Sequence, residues 1–169
     1  MDKSSRIEEL LARLAAHQGA ARLSTLCSTR TERRLVARAA ADGLITLHPN
    51  HVAALKGADP RFILCRRIGG VITCAHAMKH YGLPLQSAPT TLHIAIPGNR
   101  GHIPDAIGRV VPHRLGDLIL PAADAAPVAS VEQALICYLR CADELDALIA
   151  LDAALRLGLT TPSQLESLL

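Results

Sequence analysis

Arg30, Arg33, Arg34 and Arg38 crowd one short stretch, with the hydroxyls of Ser28, Thr29 and Thr31 among and just ahead of them. A guanidinium forks onto a phosphate or onto O6 and N7 of guanine, while short hydroxyls make backbone contacts that position a protein without reading sequence. The chemistry suggested is contact with double-stranded DNA. On a helix, Arg30, Arg33, Arg34 and Ala37 fall on the side opposite Leu35, Val36 and Ala39, so the outward face is nearly all arginine. Arg22 and Arg38 complete the basic set, and His48, Asn50 and His51 sit where a turn tip would meet a minor groove or a phosphate. A solvated helix face and plain turn residues are the competing explanations.

A rival constellation consists of Cys74, His76 and His80, with Cys137 and Cys141 further on. His76 and His80 are four apart, as are Cys137 and Cys141, and either pair has the spacing to clamp zinc from one helix face. Yet there is no Cys-x-x-Cys, and no glutamate lies between the histidines to act as a hydrolytic base. Core cysteines and surface histidines are the preferred reading, so no metal and no cofactor is expected. No serine sits in a glycine-rich elbow, and neither Gly69-Gly70 nor Gly98-Asn99-Arg100-Gly101 matches a phosphate-cradling loop. The first of these reads as a helix stop and the second as a hairpin or loop tip. Asp143, Glu144 and Asp146 read as a helix start. No catalytic residue is assigned, and the chain is not expected to be an enzyme.

The elements that would position the arginines follow from hydrophobic spacing. Ile7, Leu10, Leu11 and Leu14 mark one buried face of a first helix over 6–17, closed by Gly19. A short second helix is expected over 20–26, and a turn at Cys27 and Ser28. Thr29 and Glu32 form a capping box that starts a third helix, ending near Asp42 with Gly43 as its left-handed stop. Apolar runs at 44–47 and 52–55 around Pro49-Asn50 predict a β-hairpin. That order is a winged helix-turn-helix, assigned to residues 1–57.

Residues 58–169 are expected to form a small mixed α/β domain, and the whole an α+β, helix-rich fold. Helices are predicted over 61–68, 73–81 and 130–141, from Asp143-Glu144 to Arg156, and from the Thr161-Pro162-Ser163-Gln164 capping box. Strands are predicted over 91–96 and 108–111.

Half of the 169 residues are hydrophobic, enough for a real core, but with one Phe, two Tyr and no Trp that core must be aliphatic. Residues 1–67 hold 12 of the 18 Lys and Arg against 6 of the 15 acids, leaving 6 basic and 9 acidic residues for the remainder. A basic half joined to an acidic half suggests that the first meets a polyanion. Five irregularly spaced cysteines without a secretion signal point to a reducing cytoplasm, and charges interrupt every apolar run before it is long enough to span a membrane.

With these elements in order, the chain resembles the actinobacterial proteins that carry an AbiEi-type antitoxin domain of type IV toxin–antitoxin systems. The similarity is carried by His17-Gln18-Gly19, by 37–45 leading into the wing, by 71–83, by Leu92 to Pro97, by 110–114 and by 153–161. The chain departs from that pattern at Ala129-Ser130, at Cys137-Tyr138 and in a wing that reads Asn50-His51-Val52. The resemblance implies a winged helix that binds operator DNA and an antitoxin-like autorepressor, with a cognate nucleotidyltransferase-like toxin as partner. A homodimer on a palindromic operator stays open. Many proteins of this group continue into a Vsr-like endonuclease domain, so the alternative is the DNA-targeting or regulatory part of a nuclease system lacking its catalytic domain.

Overall fold

The computed structural model describes residues 3–99 and 110–168, which form an α+β fold with eight helices and two small sheets among them. They divide into two compact units, one of residues 3–69 and 122–127, the other of 70–121 and 128–168.

The first unit begins with α1 (Lys3–Ala16), whose Leu10 and Leu14 are buried. The chain turns at Gln18 and Gly19, both at positive φ, and the Gly19 N–H donates back to the Leu14 carbonyl at 2.8 Å. Residues 20–26, expected as one helix, instead form β1 (Ala20–Arg22) and the single turn α2 (Leu23–Leu26). The reason lies elsewhere in the chain. The hairpin β2 (Ile45–His48) and β3 (Val52–Leu55) forms as expected, and the first three residues of β3 are buried. With β2 on one edge only, β3 would carry buried, unpaired backbone groups on the other. β1 fills that edge antiparallel, Ala20 opposite Ala54 and Arg22 opposite Val52, giving the order β1-β3-β2. This requirement overrides the helix propensity of alanine.

Between the strands lies α3 (Arg30–Ala41), started by Thr29 and followed by Gly43 at φ 69°. Val36 and Ala39 point into a core shared with Leu10, Leu14, Leu26 and Ile45. The last helix of this unit, α4 (Pro60–Ile68), is capped at its start by Asp59 and stopped by Gly69 in the left-handed region. It lies in the first unit although the sequence reading starts the second domain at residue 58. Its C-terminal carbonyls explain why: Arg22 Nε donates to Arg66 O at 2.7 Å, and Asn50 Nδ2 donates to Arg67 O at 3.1 Å. The 122–127 segment joins the same unit through Arg66 Nη2, which donates to Ala125 O at 2.6 Å.

In the second unit, β4 (Val71–Ile72), β5 (Leu92–Pro97) and β6 (Val110–Leu115) form a sheet in that order, with β4 antiparallel and β6 parallel to the central β5. Parallel pairing excludes a hairpin between β5 and β6. Arg100 and Gly101 of the expected loop, and Gly108 and Arg109 of the expected strand, lie outside the described residues. The helices are α5 (Cys74–His80), α6 (Val131–Leu139), α7 (Glu144–Arg156) and α8 (Pro162–Glu166). Helix α6 is buried from Val131 to Tyr138 apart from Glu132, and α7 meets it through the small side chains Ala147, Ala150 and Ala154. Polar side chains carried inside on these helices find partners: Tyr138 donates to Asp146 Oδ2 at 2.6 Å, and Gln133 Nε2 donates to the Asp117 carbonyl at 2.8 Å.

A Cβ on Gly70 would lie 2.7 Å from the carbonyl oxygen of Ala95 and 2.8 Å from the Cγ2 atoms of Ile94 and Ile96, so the backbone there can approach β5 only as glycine. Gly70→Ala is expected to destabilise the protein by about 1–3 kcal/mol, read as a lower denaturant midpoint. A midpoint equal to that of the unaltered chain would show that this approach is not tight.

Candidate functional site

Two groups of chemically capable side chains stand out, one in each unit. The first is the outer face of α3. Thr29 Oγ1 accepts from the Glu32 N–H, and the Glu32 carboxylate accepts in return from the backbone N–H groups of Ser28 and Thr29, at 2.8 and 2.9 Å. The Ser28 and Thr29 hydroxyls also donate to Glu32, so these two predicted DNA contacts are engaged in building the helix start. Arg13 Nη1 approaches the other Glu32 oxygen at 3.1 Å and its Nη2 donates to Leu26 O, tying α1 to the same corner.

From this start α3 presents Arg30, Arg33 and Arg34 exposed to solvent, their side chains without a hydrogen bond or ion pair among the described residues. Arg38, also exposed, pairs with Asp42 one turn on at 2.8 Å. Arg34, Arg38 and Thr31 line a groove of about 640 Å³ with Arg6 and Arg13 of α1. Arg33 instead borders a recess of about 350 Å³ with Arg22, Asn50 and His51. The predicted contacts are thus sorted into two neighbourhoods on either side of α3, with His48 half-buried at the end of β2. Arg22 is also half-buried, and its guanidinium holds the end of α4. Asn50 and His51 adopt positive φ at the hairpin tip, where asparagine is tolerated far better than histidine.

The second group was not legible in local spacing. Cys74, His93, His113 and Cys141 offer donor atoms that all lie within 4.8 Å of one another. Cys74 Sγ is 3.1 Å from Cys141 Sγ and 3.4 Å from His113 Nε2, and that nitrogen is 2.9 Å from His93 Nδ1. The two imidazoles stack at 5.1 Å between centroids. Each residue comes from a different place: the first residue of α5, β5, β6, and just beyond α6. The parallel register sets His113 opposite Ala95, on the same sheet face as His93. The Thr73 N–H donates to the His93 carbonyl at 3.0 Å, which fixes Cys74 beside β5. Cys74 adopts φ 52°, a left-handed conformation costing a non-glycine residue about 1–2 kcal/mol. Of the residues weighed from sequence, Cys74 and Cys141 are brought together, whereas His76, His80 and Cys137 are not members of the cluster. His93 and His113 were missed because only strand pairing makes them neighbours.

The two thiols differ. The hydrogen bond shared with Cys74, with imidazoles nearby, draws Cys141 well below the ordinary thiol range, while the same bond and burial push Cys74 up. Burial lifts Cys65 to about 12.

No protein-family model matches the chain, and no curated protein matches it either.

Two outcomes follow. Donated hydrogen bonds, first those from the Thr29 and Ser28 backbone, hold Glu32 down from 4.5 to about 2. A carboxyl held lower in the folded state stabilises it fully above its unfolded value, and that stabilisation fades as pH falls from 4.5 towards 2. Glu32→Gln should therefore flatten the acid limb of a stability-against-pH curve; superimposable curves would contradict the arrangement. In the reduced, metal-free chain Cys141 is the exposed thiol and the other four are buried. Iodoacetamide below neutral pH should alkylate Cys141 first, as read by peptide mass spectrometry. Equal labelling of Cys65 would contradict it.

Proposed function

We propose that the first unit is a winged helix-turn-helix that binds double-stranded DNA, and that the protein is a transcriptional regulator of the antitoxin-like, autorepressing kind. The observation that carries this reading is α3. It is a capped helix whose buried side faces the unit's core and whose opposite side offers three arginines without an ion-pair partner among the described residues. The element order α1, β1, α2, α3, β2, β3 supports it, since a winged helix needs a three-strand sheet behind its recognition helix and a hairpin beside it. The antitoxin-like part rests on the sequence resemblance.

In this reading Arg30, Arg33 and Arg34 enter the major groove, and Arg38 exchanges Asp42 for a phosphate. The hairpin tip, with His48, Asn50 and His51, approaches the flanking backbone. Arg22 serves by holding α4. Ser28 and Thr29 serve by setting the start of α3, where first-turn N–H groups and the Thr31 hydroxyl face a phosphate. Phosphate contacts supply most of the affinity and make it fall steeply with salt.

The test is fluorescence anisotropy on a labelled duplex from the region upstream of the chain's own gene, with a random duplex of equal length beside it. Arg33→Ala and Arg34→Ala should each weaken binding about tenfold and lower the salt slope by about one. Both side chains are exposed, so circular dichroism should be unchanged. Unaltered affinity in both variants would sink the assignment of this face.

A further inference from the structure

We propose that Cys74, His93, His113 and Cys141 bind one zinc(II) ion as a structural, four-coordinate site in the second unit. Zinc takes thiolate and imidazole ligands in a tetrahedron, and two sulfurs with two nitrogens make a complete protein-supplied set. Bonds of about 2.3 Å to sulfur and 2.0–2.1 Å to nitrogen place neighbouring donors roughly 3.3–3.8 Å apart around one ion. The observed separations of 3.1, 3.4 and 2.9 Å already approach those values. With all four donor atoms already within 4.8 Å of one another, small side-chain movements, outward for the two short pairs, would seat the ion.

The chemistry of the cluster also favours a cation over a set of hydrogen bonds. Around His113 Nε2 gather the Cys74 sulfur at 3.4 Å and a His93 ring nitrogen at 2.9 Å, with the Cys141 sulfur within 4.8 Å. A ring nitrogen has either one proton or one in-plane lone pair, so it serves one of these neighbours well and not both. A single ion would satisfy all four clustered donor atoms together. His93 ligates through Nδ1 and His113 through Nε2, and the two thiolates offset the charge of the metal. Cys141 is exposed, which opens a path for the ion from solvent, while the other three ligands are buried or half-buried.

The ligands also join the elements that most need joining. The site ties the start of α5, two parallel strands and the end of α6, four places far apart in the chain. This unit has two tyrosines and no Phe or Trp, and a metal staple would supplement an aliphatic core of small side chains. The left-handed backbone at Cys74 is consistent with a residue held by its ligand role.

The experiment uses the full chain, purified under reductant, stripped with a chelator and titrated with zinc alone in competition with a chromophoric chelator. One equivalent per chain and a higher melting temperature are expected. Cobalt(II) in place of zinc should give the intense visible bands of a tetrahedral site and a thiolate-to-cobalt charge-transfer band. Cys141→Ser and His113→Asn should each weaken zinc binding by at least about tenfold. Their combination should abolish stoichiometric binding, and His80→Asn, on the exposed end of α5, should leave it intact. The proposal is overturned if the reduced chain takes up no zinc, if the double variant binds it as well as the unaltered chain, or if the cobalt spectrum lacks the thiolate band. Recovery of a Cys74–Cys141 disulfide under reductant, with no zinc uptake, overturns it as well. None of these outcomes touches DNA binding by the first unit.

Discussion

Small side chains impose the governing constraint on this protein. With one Phe, two Tyr and no Trp, apolar surface is buried by bringing backbones close together rather than by filling space with rings. The signs recur in both units. Ala53 and Ala54 lie fully covered in β3, Gly19 packs where a Cβ would meet that of Ala58 at 3.0 Å, and an alanine stripe on α7 lies against α6. Gly70 admits no Cβ beside Ala95 at all.

Close approach has a consequence for the backbone. Strands packed this tightly exclude water, so every N–H and C=O they bury must find a partner within the chain. In the first unit that demand turns Ala20–Arg22 into a strand, and it brings the side chains of Arg22 and Asn50 to the carbonyl end of α4. Two polar residues that look like ligand contacts in isolation thereby serve the fold. The same logic explains Glu32, which gathers N–H and O–H donors at the start of α3 and leaves the helix free to display arginine on its other side.

The second unit solves the same problem with a mixed sheet. Placing β6 parallel to β5 lines up His93 and His113 on one face, and two cysteines then close on them from helix ends. The result is a set of soft and borderline donors assembled by topology, at sequence separations that no local motif describes.

What could be read from the chain alone was everything governed by near neighbours. The capping box of α3, the left-handed stop at Gly43, the Pro49-Asn50 hairpin, the Asp143 start of α7 and the Thr161 start of α8 each depend on residues within a turn of one another. The arginine face was legible for the same reason, since it needs only helical period. Beyond that range the residues are silent. Whether Ala20–Arg22 winds or extends depends on an open strand edge thirty residues away, roughly the reach of a supersecondary unit. Whether Cys74 finds His80 or His113 depends on which strands pair and in which direction. Those choices minimise the free energy of buried backbone and side chains taken together, so only the folded chain makes them.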